Sequence, residues 1–164
     1  MRWILLLLMF TNTVFANVAV DKLNALLSKK ESAERFKSAL KATTPEIKNI
    51  SENYYFVFIY KGSCPHCHNF APVLKDFADS FHFLVTPYSL DNEPLPEFKG
   101  APLTPALFQT FYVNGGYKPS VPALFLVNRH TLDAYAVLFG EAKDYELANR
   151  VSELMKHIEE KYHE

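Results

Sequence analysis

Cys64-Pro65-His66-Cys67 contains the only two cysteines of this 164-residue chain, three positions apart. That spacing lets the sulfurs close a disulfide across the first turn of a helix. A thiol at the open end of such a turn ionises readily, because unsatisfied backbone N–H groups and the positive end of the helix dipole favour the thiolate. Cys64 is then the attacking sulfur, and Cys67, one turn in and more buried, resolves the mixed disulfide. Pro65 and His66 tune the pair; a protonated His66 adds positive charge near Cys64 and deepens the same effect.

Three other chemistries use the same residues. Cys64-Pro65-His66-Cys67-His68 satisfies Cys-x-x-Cys-His, the attachment pattern of a c-type haem. Against a haem role for Cys64, Cys67 and His68, the motif follows a strongly β-prone run, and Met155 lies on the apolar face of the last helix. A distal ligand from His82, His130, His157 or His163 stays open. A metal site built on both cysteines with His66 or His68 needs a second ligand pair, and none is evident. A purely structural disulfide would close too short a loop to stabilise much. The expectation is therefore no cofactor and no metal.

The elements that hold the pair follow from composition and pattern. With 49% hydrophobic and 21% charged residues, the chain fits one packed core and neither a disordered nor a multi-span membrane class. Lys plus Arg (17) nearly balances Asp plus Glu (18), and no basic run appears, which removes the footprint of a nucleic-acid binder. Met1-Arg2 followed by the apolar run Trp3 to Phe10 is too short to span a bilayer. With Val14-Phe15-Ala16 behind it, residues 1–16 read as a signal peptide cleaved after Ala16; an uncleaved anchor is the other reading. Export places the thiols in an oxidising compartment.

Residues 17–53 read as a helical arm. Val20, Leu23, Leu26, Leu27, Phe36, Ala39 and Leu40 recur at three and four residues, and Thr44-Pro45-Glu46 marks a fresh helix start. The arm packs on the domain behind it or, as the alternative, pairs with a second copy. Tyr54 to Tyr60 (YYFVFIY) suits a strand buried on both faces. Phe70, Val73, Leu74, Phe77 and Phe81 mark a helix from about Pro65 to Asp79, with a kink expected at Pro72. A strand over 83–90, a proline-rich loop over 91–104 and a helix over 105–112 follow. Asn114-Gly115-Gly116 ends that helix. Strands over 122–127 and 132–139 flank the hairpin turn 128–131, and an amphipathic helix after Gly140 closes the chain. Such alternation predicts an α/β layer with parallel central strands and an antiparallel pair at the end.

With those residues in place, the chain resembles the thioredoxin-fold thiol-disulfide oxidoreductases over about Tyr54 to Lys156. The carriers are YYFVFIY, the Cys-x-x-Cys at a helix start, Pro72 eight residues after Cys64, Val121-Pro122 before ALFLV, and Gly140. The resemblance implies a central mixed sheet flanked by helices over 54–164, preceded by the short arm. It also implies a cis-proline at Pro122, with Val121 and Pro122 contacting the client chain. KGSCPHCHNFAPVLKDFA, YSLDN and FLVNRHTLDA further resemble the TrbB-type periplasmic disulfide isomerases of F-type conjugation systems. This implies cysteine-containing secreted or pilus-assembly proteins as clients and a membrane redox partner for recycling.

Pro-His between the cysteines and valine before the proline match DsbA-like oxidants instead, so a general periplasmic dithiol oxidase is the alternative. Thioredoxin near −270 mV and DsbA near −120 mV differ by about 7 kcal/mol. Their nucleophile pKa values, about 7 and about 3.5, account for nearly 5 kcal/mol of that. A Cys64 pKa below that of a free thiol is the resulting expectation. Phe58 occupies the position where the family places a buried proton-moving carboxylate. The arm is too short for a separate dimerisation domain, which makes a monomer the expected state. Lys61 and His68 read as solvated residues, and Tyr117 as a candidate client contact.

Overall fold

The computed structural model describes residues 20, 22–24, 27 and 50–162. The chain forms two compact units, 1–38 and 39–164. In the first, the described residues Val20, Leu23 and Leu27 are helical and exposed. The signal-peptide reading and most of the arm lie outside the described residues.

The second unit is built on strand β1, Tyr54–Tyr60, whose side chains alternate between two cores. Phe56, Phe58 and Tyr60 face one; Val57 and Ile59 face the other, as a period of two requires. β1 pairs in parallel with β2 (Val85–Ser89), which pairs in parallel with β3 (Ala101–Pro102). On its other side β1 runs antiparallel to β4 (Ala123–Asn128), and β4 antiparallel to β5 (Ala134–Phe139). The order β3-β2-β1-β4-β5 is a mixed five-stranded sheet.

Helix α1, Pro65–Phe81, crosses from β1 to β2 and buries Phe70, Leu74 and Phe77 against Phe56 and Phe58. Burying such a side chain contributes on the order of 2 kcal/mol, and the aromatic rings interlock further: Phe58 lies 5.9 Å from Phe70 and Phe56 lies 6.1 Å from Phe77. The helix continues through Pro72, where the ring removes one helical hydrogen bond, and ends two residues later than expected. His82 closes it in the left-handed region at φ 61°, donating its N–H to Ala78. Phe83 therefore belongs to the core, 4.5 Å from Phe56, and the second strand starts only at Val85.

The predicted loop over 91–104 contains the two-residue edge strand β3. Tyr60 holds it there: its phenol donates to the Phe98 carbonyl at 3.2 Å and accepts the Gly100 N–H at 2.8 Å. The expected helix over 105–112 is instead a four-residue α2, Pro105–Phe108, running into a π-helical turn, Gln109–Val113. The hairpin falls where the pattern places it, with Asn128 Oδ1 accepting from the N–H groups of His130 and Thr131 at 2.8 and 3.1 Å. Helix α3, Asp144–Tyr162, buries Leu147, Val151 and Ile158 on the α1 face of the sheet. This is the α/β arrangement of the thioredoxin fold, as the resemblance implied. Among the described residues no helix is long and apolar enough to cross a membrane.

Candidate active site at the end of the sheet

Cys64 is the N-cap of α1, extended at φ −91° and ψ 117°, and Pro65 fills the first helical position. The turn before it closes when the Cys64 N–H bonds the Lys61 carbonyl at 3.0 Å, and the Cys64 carbonyl then accepts from Cys67 at 3.1 Å. Cys64 is half-buried, Cys67 is fully buried, and both are thiols. Burial pushes the Cys67 thiol up to about 12. A backbone hydrogen bond with Lys61 opposes the rise; a side-chain hydrogen bond to Cys64, then the charges of Cys64 and Asp91, add to it. The pair is thus asymmetric, one sulfur at the surface and one held protonated beneath it.

Asp91, just past β2, organises the turn that leads into Cys64. Its Oδ1 accepts the Gly62 N–H at 2.9 Å, and its Oδ2 accepts the Ser63 N–H and hydroxyl, each at 3.1 Å. The buried Ser89 hydroxyl lies 3.0 Å from Asp91 Oδ1, and the Glu93 N–H reaches the same oxygen at 3.3 Å. Desolvation works against ionisation here, but the bonds from Gly62, Ser63, Ser89 and Glu93 outweigh it and hold the carboxyl well below the usual range. Gly62 has no alternative at its position: a Cβ would stand 2.4 Å from Glu93 Cβ and 2.8 Å from the Glu93 carbonyl oxygen.

The Val121–Pro122 bond is cis. Pairing of Ile59 with Ala123 sets Pro122 beside the end of β1, at the same end of the sheet as Cys64. Val121 packs on both cores, including the cluster that contains Cys67 and against which Cys64 rests. The Pro122 carbonyl accepts the Gly140 N–H at 2.8 Å, and the Ser120 carbonyl accepts the Tyr112 hydroxyl at 2.8 Å.

His66 points to a partner that the sequence does not reveal. Its Nδ1 lies 3.2 Å from Glu141 Oε1, while Asn69 Nδ2 donates to Glu141 Oε2 at 3.0 Å. The Asn69 bond first, and the His66 bond second, hold the Glu141 carboxyl below its ordinary range. An open groove of about 380 Å³ begins here, lined by Asn69, Val73, Glu141, Ala142, Lys143 and Glu146. His68, read as a solvated residue, bonds back to the turn, with Nε2 2.7 Å from the Gly62 carbonyl. Lys61 is exposed. Tyr117 is partly exposed and packs at a tilt of 48° with its ring 5.2 Å from that of Phe139. Phe58 is fully buried among Tyr60, Phe70 and Phe98, so no carboxylate stands under the pair at that position. His130 caps toward Asn53 at 3.3 Å, and His163 is outside the described residues. Among the described residues no group of three His, Cys, Asp or Glu is placed to hold a metal ion.

Asp91, Tyr112 and Glu141 are the polar residues of this site that sequence reasoning missed. Asp91 had a signal, an acid directly after a predicted strand and within YSLDN. Glu141 had a weaker one, following Gly140 at a helix start; Tyr112 had none.

Protein TrbB of Escherichia coli (strain K12) is 41% identical over 85 residues, covering 51% of this chain and 46% of that protein. The match therefore spans less than half of that relative's length. Among solved structures, a thiol:disulfide interchange protein of the thioredoxin family from Chlorobium tepidum TLS covers 63% of this chain and 81% of its own at 18% identity and a TM-score of 0.47. A secreted Mycobacterium tuberculosis disulfide oxidoreductase homologous to E. coli DsbE covers 63% and 84% at 17% identity and a TM-score of 0.41. The profile of the TraF F plasmid transfer operon proteins matches residues 26–152, and the chain belongs to that family.

Proposed function

We propose that this protein is a thiol-disulfide oxidoreductase that exchanges disulfides with cysteine-containing proteins through Cys64 and Cys67. The observation that carries the reading is the asymmetry of the pair: a half-buried sulfur at a helix N-terminus and a fully buried, protonated one a turn inside. The Cys64 thiolate attacks a client disulfide, forming a Cys64–client bond and releasing the other client sulfur as a thiolate that takes up a proton. Cys67 then loses its proton and attacks Cys64, releasing the second client thiol. The client gains two electrons and the site becomes a disulfide. Run backwards, the same steps oxidise a dithiol client. Pro65 and His66 set the balance between the two directions, and Val121 and Pro122 position the client chain.

The family assignment and the likeness to TrbB support clients among the transfer or pilus-assembly proteins of conjugation. The apolar N-terminal run supports export, with the periplasm as the working compartment. Each client oxidised leaves the pair reduced, and a membrane redox partner returns it to the disulfide. A monomer suffices for this chemistry.

The test is the Cys64/Cys67 equilibrium of the protein in glutathione buffers, paired with Cys64→Ser. The pair is expected to titrate as one two-electron couple, and Cys64→Ser to abolish exchange. A potential near about −120 mV means a site that donates disulfides, and one near about −200 mV or below a site that shuffles or reduces them. Failure to titrate as a single couple sinks the reading.

A further inference from the structure

The segment before Pro122 is held from the face of the sheet opposite α1. Tyr112 lies in the π-helical turn Gln109–Val113, where the Asn114 N–H reaches back five residues to the Gln109 carbonyl at 2.9 Å. Such turns carry one more residue than an α-helical turn and change the direction in which a side chain leaves the helix. Here the tyrosine is only 1% exposed, with its ring edge-on to Phe125 of β4 at 6.0 Å and 89°. Its hydroxyl donates to the Ser120 carbonyl at 2.8 Å, and its own carbonyl accepts the Tyr117 N–H at 2.8 Å. Both ends of the stretch 117–120 are thereby tied to one residue. Burial first, and the charge of Cys67 second, push the phenol up, so the group stays a donor across the working pH range.

We propose that Tyr112 is a positioning residue for client binding: its hydroxyl fixes the Ser120 carbonyl and, through it, the backbone that Val121 and Pro122 present to a client. The inference rests on the exchange function proposed above. Tyr112 touches neither the client nor the sulfurs in this scheme; it keeps the client-facing backbone in one conformation before binding, which lowers the ordering cost of the complex. Removing the hydroxyl leaves a carbonyl without its donor and frees the segment to move.

The test uses the full chain, a disulfide-bonded peptide as the client, and the variant Tyr112→Phe. Tyr112→Phe is expected to raise the KM for the peptide about threefold to tenfold, the loss of one hydrogen bond, with kcat and the glutathione equilibrium constant changed less than about twofold. Amide hydrogen exchange is expected to accelerate over 117–124 and nowhere else. An unchanged KM with unchanged amide exchange overturns the proposal. So does a fall in kcat together with a shift in the glutathione equilibrium, which would mean that the phenol acts on the cysteines or on the whole fold. A wild-type protein inert toward the peptide overturns the exchange function instead; unchanged exchange over 117–124 in Tyr112→Phe then overturns this inference separately.

Discussion

Two short stretches of backbone lie at the same end of the sheet, 61–63 before Cys64 and 120–122 before β4, and each is secured by one side chain from another element. Asp91 secures the first with an anion at a half-exposed position, taking the N–H groups of Gly62 and Ser63 at once. Tyr112 secures the second with a single neutral hydroxyl in a buried position. The chemistry follows the polarity of the backbone on offer. Where the turn presents N–H groups only an acceptor will do, and where it presents a carbonyl only a donor will. Location then decides charge, because a carboxylate survives beside water and a buried ion without a partner costs several kcal/mol. The cysteines thus sit between a support that depends on pH and one that does not.

The largest break in that pairing is Asp91→Ala. It removes the acceptor of three backbone N–H groups, those of Gly62, Ser63 and Glu93, and of the Ser63 hydroxyl, while the Ser89 hydroxyl keeps the Glu93 carbonyl; water reaches part of the site and offsets some of the loss, leaving about 2 to 3 kcal/mol of destabilisation in urea unfolding, with slower exchange at Cys64. Gly62→Ala comes next, at about 2 kcal/mol, because the new methyl collides with Glu93 and pushes it off its bond to Asp91. The same unfolding series measures it, and a stability within about 0.5 kcal/mol of the wild type would show that the turn has more room than its geometry gives.

The finest comparison is in pH. The Asp91 carboxyl titrates lower in the folded chain than the roughly 3.9 of an unfolded one, so its contribution is fully present above about pH 4 and is lost as pH falls toward the folded value. The stability gap between the wild type and Asp91→Asn should therefore be flat from about pH 5 to 8 and shrink below about 4. The Tyr112 phenol titrates above its unfolded value of about 10, so the gap for Tyr112→Phe should stay flat from about pH 3 to 9. Parallel curves for the two variants would remove the distinction between the supports.

How much of this was legible in the residues follows from range. The unbroken apolar run YYFVFIY and the spacing of Phe70, Leu74 and Phe77 are local patterns, and β1 and α1 lie where those patterns put them. Cys64-x-x-Cys67 and Val121-Pro122 were equally visible, because each motif is contiguous. Asp91 reaches Gly62 across 29 positions, and Glu141 reaches Asn69 across 72. No local period encodes such contacts. β3 was missed because two residues cannot show alternation and Pro102 argued against a strand. The π-helical turn was missed because nothing in QTFYV distinguishes it from α-helix.

Phe58 carries a last consequence. With Phe70, Tyr60 and Phe98 packed around it, Phe58 offers no carboxylate to take a proton, and the one hydroxyl of that layer, on Tyr60, is engaged by Phe98 and Gly100. In the proposed exchange, the hydrogen on Cys67 must depart through the mouth of the site, carried by a water molecule or by the client's own leaving sulfur. The arriving chain would then act as its own stopcock: how tightly it seals the opening sets how long the mixed disulfide lives before it is released.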